Sequence, residues 1–331
     1  MIAARRRMPG KAVATGVARF SVGAALVVLL LWRSNASAVL DTIKTADTTD
    51  VILGVLAVLT SVVVGAFRWR PFLEELDLSL PVWPAIQLTL VGSFFNAFLP
   101  TGFGGDAYKA FRFRGEPGAL SRAGASVLLD RWAGMVGLAV LGLIGSGLLL
   151  ATGDRSEPAA VAAALAAGIL VASFGVLMLG PRLLRRLQAP EGATGFKANL
   201  TLLARAIVRT GRHPRAATTG LALGLVSAIF LLLSQVFLAS ALKIGTPTGA
   251  LAGILLIAAV ITVAPITVNG LGLREAVYVW ALGALGVGHN DALAFGLLVL
   301  GTFLAASAVG GVFYLLGGKN LRPATPSTTE R

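Results

Sequence analysis

Eight apolar segments dominate this 331-residue chain, at about 13–32, 51–67, 84–99, 123–151, 158–180, 218–241, 249–268 and 291–316. A helix needs roughly 20 apolar residues to cross the hydrocarbon core of a bilayer, and most of these segments come close to that length. Apolar residues make up 56% of the chain and charged residues 13%, where a water-soluble domain carries about a quarter charged residues. This pattern excludes a soluble enzyme, a disordered chain and a nucleic-acid-binding domain. The formal charge of +13 has a plainer cause than nucleic acid, because the cytoplasmic loops of membrane proteins collect Lys and Arg. Cys is absent and His occurs twice, which argues against disulfides, a thiolate nucleophile and a histidine metal centre. Arg5, Arg6 and Arg7 followed by an apolar run and Ala36-Ser37-Ala38 imitate a signal peptide. The run is long enough to span, however, and is read as the first helix.

Orientation follows from where the basic residues fall. Arg5, Arg6, Arg7, Lys11 and Arg19 lie at the start, and Arg68 and Arg70 open the 68–83 stretch. Lys109, Arg112, Arg114 and Arg122 lie within 105–122, and 181–217 is strongly basic. The intervening stretches 33–50, 152–157 and 242–248 carry only Arg33, Lys44, Arg155 and Lys243. With the basic stretches in the cytoplasm, 84–120 must enter and return through the same face. By the same bookkeeping, 249–288 enters and returns from the opposite face. The expected fold is all-α and polytopic, with about six full transmembrane helices plus two re-entrant broken-helix hairpins. Eight plain spans are the alternative. Residues 1–12 form a basic cytoplasmic N-terminus, 13–317 a single transmembrane domain with a cytoplasmic basic loop at 181–217, and 318–331 a disordered cytoplasmic tail. The expected location is the cell membrane.

The two breaks resemble each other. The first reads Pro100-Thr-Gly102-Phe-Gly104-Gly105-Asp106-Ala-Tyr108, and the second Pro265-Ile-Thr-Val-Asn269-Gly270-Leu-Gly272-Leu-Arg274-Glu275-Ala-Val-Tyr278. Interrupted segments in corresponding positions of two halves point to a transporter site and an inverted repeat. Backbone freed by Pro and Gly must line a wet cavity or be satisfied by protein, and the helix starting after each glycine pair offers its N-terminus to an anion. The duller reading is a pair of kinks, with Asp106 an ordinary helix cap. Arg131 sits in a run otherwise apolar to Leu150, where a charge costs at least about 2.5–3.5 kcal/mol at mid-bilayer. Its expected partner is Asp106, Glu275 or an anionic ligand, unless it snorkels to the interface. Asn96 and Asn269 are candidates for head-group hydrogen bonds or for satisfying freed backbone. The stretch from Arg182 to Arg215 is basic and interleaved with leucines, which suits an anionic leaflet surface. No nucleotide-binding glycine motif is present, and neither a metal nor a cofactor is expected.

At these same residues the chain resembles the lysylphosphatidylglycerol synthase transmembrane-region family, a group of flippase-like membrane proteins. The matching stretches are Asn96 to Gly105, Leu129-Asp130-Arg131, and Pro265 to Glu275. In the larger members, this region looks like a lipid translocase joined to a cytosolic domain that transfers lysine from charged tRNA to phosphatidylglycerol. With the chain ending at Arg331, the transferase half is expected to be missing. The resemblance implies a transporter that moves a phospholipid or polyprenyl-linked head group between leaflets. Arg131, Arg274, Glu275, Asn269, Asp106 and Asn96 would line its path. The alternative is an enzyme or accessory subunit of membrane glycolipid or aminoacyl-lipid synthesis, with a synthase or glycosyltransferase as partner. The expected ligands are membrane lipids, anionic phospholipid or polyprenyl phosphate, and not nucleic acid.

Overall fold

The structure is a computed structural model that describes residues 9–99, 104–115, 118–153, 156–186, 214–263 and 266–317. Pro100, Gly102, Pro265, most of the 181–217 loop and the tail after Gly317 lie outside the described residues. Eleven α-helices account for nearly all of the described chain. They are α1 (Pro9–Arg33), α2 (Ala36–Lys44), α3 (Thr48–Glu75), α4 (Val82–Phe98), α5 (Gly104–Phe111) and α6 (Ala119–Ala151), followed by α7 (Glu157–Arg186), α8 (Pro214–Ala241), α9 (Thr248–Val263), α10 (Leu273–Gly283) and α11 (His289–Gly317). A short 3₁₀ turn, Val268–Gly270, precedes α10.

Five of these helices are long and apolar enough to cross a membrane: α3, α6, α7, α8 and α11. A sixth span is α1, which bends by 94° into α2. Sequence reading takes 33–50 as a loop, but the structure places a nine-residue helix there. Asn35 starts α2 by accepting a hydrogen bond from the Ala38 N–H, as helix-initiating Asn side chains do. The helix then buries Val39 against Leu293 and Ala294 of α11.

Contacts at the helix ends sort the connections onto two faces. The Asp47 N–H donates to the Ala241 carbonyl and the Asn35 N–H to Asn290, so the start of α3, the end of α8 and the start of α11 share one face. On the other face, Arg122 donates to the Leu76 carbonyl, and Trp83 meets Phe313 edge-on. Helices α4 and α5 leave from and return to this second face, pairing Phe95 with Tyr108 and Asn96 with Gly105. Helices α9 and α10 leave from and return to the first. Both are helical hairpins, and they enter from opposite ends of the bundle.

A span, a hairpin and a second span make up α3–α6, and the same unit recurs in α8–α11 with opposite direction. Thr48 and Pro214, and Val82 and Thr248, open corresponding helices 166 positions apart. Ser61 and Ser227 have that same separation, and their hydroxyls meet at 2.8 Å where α3 packs along α8. Equivalent residues touch each other only on a two-fold axis, so this bond marks the pseudo-symmetry axis. Each hairpin also packs against the long helix of the other half. The carbonyl of Leu90 in α4 lies against Gly310 of α11, and the side chain of Leu256 in α9 lies against Gly142 of α6. A side chain at either glycine would force the helices apart.

Candidate functional site

The first break is built around glycine contacts and one amide. At Gly105 the chain passes so close to the Gly92 carbonyl that a Cβ has no room. The Gly105 N–H, one of the free donors at the start of α5, is taken at 2.8 Å by the Asn96 side-chain oxygen. Asn96 therefore satisfies backbone here, consistent with the requirement that freed groups in a dry interior find protein partners. Asp106, in the first turn of α5, receives the Arg131 Nε–H. Its neighbour Asp130 points elsewhere, because successive residues on a helix do not share a face.

Asp130 accepts from Arg68 Nε at 2.7 Å and lies 3.8 Å from Lys109 Nζ. The Asp130 and Lys109 side chains are almost fully buried, at 8% and 7% exposure. Lys109 also lies over the face of Trp69, 4.7 Å from its ring, and the Trp69 indole N–H donates to Ser126. Three cations and two carboxylates thus gather where α3, α5 and α6 meet, with net charge +1. Asp130 is 11 residues into α6, roughly 16 Å along its axis, which puts the cluster in the half of the membrane nearer the second face. The sequence pattern singles out Arg131 and Asp106, whereas Arg68 and Lys109 fall among its loop charges. The apolar run stops at Phe67, whereas α3 continues for two more turns to Glu75.

At the second break, Asn269 adopts a left-handed conformation (φ 51°), and Gly270 and Gly272 also have positive φ. The Glu275 carboxylate is fully buried and uses both oxygens. Oε2 accepts from the Gly272 N–H at 2.6 Å, and Oε1 accepts from Arg274 Nε and Nη2 at 3.2 and 3.1 Å. The start of α10 is therefore already capped by protein, as is that of α5. Arg274 is neutralised by its own neighbour, and it still lines a cavity of about 180 Å³ beside Asn269 and Tyr278. Ser234, Gln235, Thr262 and Thr302 supply the other polar walls. Buried Gln235 donates to the Tyr278 hydroxyl at 2.6 Å, and its Oε1 has no partner among the described residues. Helix α1 closes the break from outside, with Gly23 and Leu26 against Leu271 and Gly272.

The two sites are related by the repeat. Positions 166 residues on from Arg68 and Trp69 are Ser234 and Gln235, which line the cavity. Where the first half packs charged side chains together, the second half leaves a mostly apolar cavity into which a few polar groups project. The volume far exceeds the roughly 10–15 Å³ that one water requires. Among the described residues no group of His, Cys, Asp and Glu could hold a metal ion.

Residues 16–311 match the family described as the lysylphosphatidylglycerol synthase TM region. The chain belongs to this family. It is also similar to the UPF0104 membrane protein PH1989 of Pyrococcus horikoshii, at 28% identity over 113 residues. That match covers 33% of this chain and 34% of the relative, so the chain spans about a third of the length of the curated relative. The match to the lysylphosphatidylglycerol synthase TM region takes in both hairpins and all six spans, apart from the ends of the first and last helices. This is a multi-pass membrane protein of that family.

Proposed function

We propose that the chain moves the head group of a phosphate-bearing lipid between leaflets, with the acyl chains remaining in the surrounding bilayer. The observation that carries this reading is the cavity at the second hairpin, where Arg274, Asn269 and a few hydroxyl and amide groups stand among apolar side chains, on the hairpin that enters from the face opposite the one used by the net-positive cluster of Arg68, Lys109, Asp130, Asp106 and Arg131. An intramembrane ionisable residue is costly and is held for a pathway or a partner. Two such sites, built on oppositely directed hairpins, suit a path that hands a head group across the midplane. The basic second face is the cytoplasmic one in this reading, and both chain ends lie on it at the cell membrane.

The test is a reconstituted translocation assay in liposomes, following a fluorescent phospholipid by dithionite quenching. Filling the cavity with Ala259→Phe, and removing its charge with Arg274→Gln, should each lower the rate at least tenfold, equivalent to about 1.4 kcal/mol. Thermal unfolding must show that the variants remain folded. Rates equal to that of the unchanged protein in both variants would reject the cavity as part of the path.

A further inference from the structure

A second polar feature lies outside both sites. Arg112 follows α5 directly, and its Nε and Nη2 atoms are shut off from solvent with no hydrogen-bond partner among the described residues. The hydroxyl of Tyr108, one helical turn earlier, is in the same condition. Arg112 is the flanking residue at the end of α5, one turn on from Tyr108, so three donors of one small neighbourhood lack acceptors. Buried donors of this kind nearly always have partners, and each exception calls for an explanation. The carboxylates of the adjacent cluster cannot supply one. Asp106 is held by Arg131, and Asp130 by Arg68 and Lys109.

The Nε and Nη2 edge of a guanidinium is the pair of parallel donors that matches two oxygens of a phosphate. Arg112 as a whole is only half-buried, so this edge lies just beneath the surface. Around it stand rings from three helices: Tyr108 packs 5.0 Å from Phe95 of α4 and 6.2 Å from Tyr314 of α11. Next to Tyr314, Leu315 and Leu316 are each 83% exposed, and Trp83 and Phe111 are also exposed. Aromatic rings beside exposed apolar side chains are the signature of a membrane interface, where head group and acyl chain meet. We propose that Arg112 and Tyr108 bind the phosphate of an anionic phospholipid at the second face, with its acyl chains against Tyr314, Leu315 and Leu316. The same donors suit a free phosphate ion, but the apolar surround selects a lipid.

The proposal requires the chain's membrane placement but not translocation, and its test reads binding alone. The full chain in neutral detergent is titrated with dioleoyl phosphatidate, and bound lipid is counted by native mass spectrometry. Dioleoylglycerol, which lacks the phosphate, and inorganic phosphate serve as comparison probes. Phosphatidate should bind and dioleoylglycerol should not. Arg112→Gln should weaken phosphatidate binding roughly tenfold or more, with Arg112→Lys between the two because it keeps the charge and loses the paired donors. Tyr108→Phe should weaken it several-fold, and it decides the matter if Arg112→Gln fails to fold. Lys44→Gln, in an exposed pair at the other face, should bind as the unchanged protein does. Unaltered binding in Arg112→Gln, or in Tyr108→Phe where that variant decides, would overturn the proposal, as would an equal loss in Lys44→Gln. Displacement of the lipid by inorganic phosphate at comparable concentration would overturn it in favour of a phosphate-ion site.

Discussion

Asp130 holds two cations from two different helices while it is itself almost wholly buried, and that makes it the most exposed point of the charge balance. A buried ion pair need not stabilise a protein relative to an apolar replacement, but removing one partner leaves the other charge stranded. Asp130→Asn strands both Arg68 and Lys109 in a cluster that already has one cation in excess. The expected loss is about 3–5 kcal/mol of stability, read as a large drop in the thermal unfolding temperature of the detergent-solubilised protein. Arg68→Gln on the Asp130→Asn background should cost much less than either change suggests alone, since residues that share a network are not additive. Additive losses would show that the pair does not couple. Glu275 is bound differently, because one carboxylate oxygen caps a helix and the other holds Arg274. A buried carboxylate thus acts as a hub between helices in one half and as a local clasp in the other.

At the level of the element, the hairpins depend on close approach of backbones. Gly105→Ala would press a methyl group into the Gly92 carbonyl, and overpacking of this kind costs typically 1–3 kcal/mol or more. Gly147→Ala in α6 meets nothing within 4 Å, and it should be neutral or stabilise by up to about 1 kcal/mol through its better helix propensity. Unfolding temperatures of the two variants side by side check this, and equal behaviour would mean that α4 and α5 are not in contact. The hairpins were legible in the sequence because charge bookkeeping forbids 84–120 from crossing once, and because Pro and Gly interrupt both runs. The second helix was not legible. Its cause is a cap at Asn35 and one buried face against α11, neither of which appears in a count of apolar residues. Arg131 and Asp106 stood out as charges beside an apolar run, but Arg68 did not, because the pattern ends a residue before it and only the continued α3 carries it inward. The walls of the cavity, Ser234, Gln235 and Thr302, are ordinary polar residues in apolar helices. What singles them out is the neighbours that the repeat assembles around them.

At the level of the whole molecule, the pseudo-two-fold through Ser61 and Ser227 ties sidedness to fold. If α3–α6 and α8–α11 are oppositely directed copies, then the residues before and after each hairpin must share a face, and the two hairpins must use different faces. The absence of Cys from the chain makes this testable with single cysteines. Ser79 and Arg114 are exposed and flank the first hairpin, and Thr248 and Ala284 are exposed at the two ends of the second. In sealed proteoliposomes of uniform orientation, Ser79→Cys and Arg114→Cys should react with a membrane-impermeant maleimide from one side. Thr248→Cys and Ala284→Cys should react from the other. Eight plain spans would separate Ser79 from Arg114 and Thr248 from Ala284, because one helix of each pair would then cross completely, so a split within either pair would reject the hairpins. Labelling of all four from the same side would reject the inversion while leaving the hairpins intact. If the basic face is the cytoplasmic one, the same cysteines in intact cells should leave Ser79 and Arg114 protected while Thr248 and Ala284 react. The reverse pattern would invert the direction assigned to the translocation path and leave the geometry of both sites unchanged.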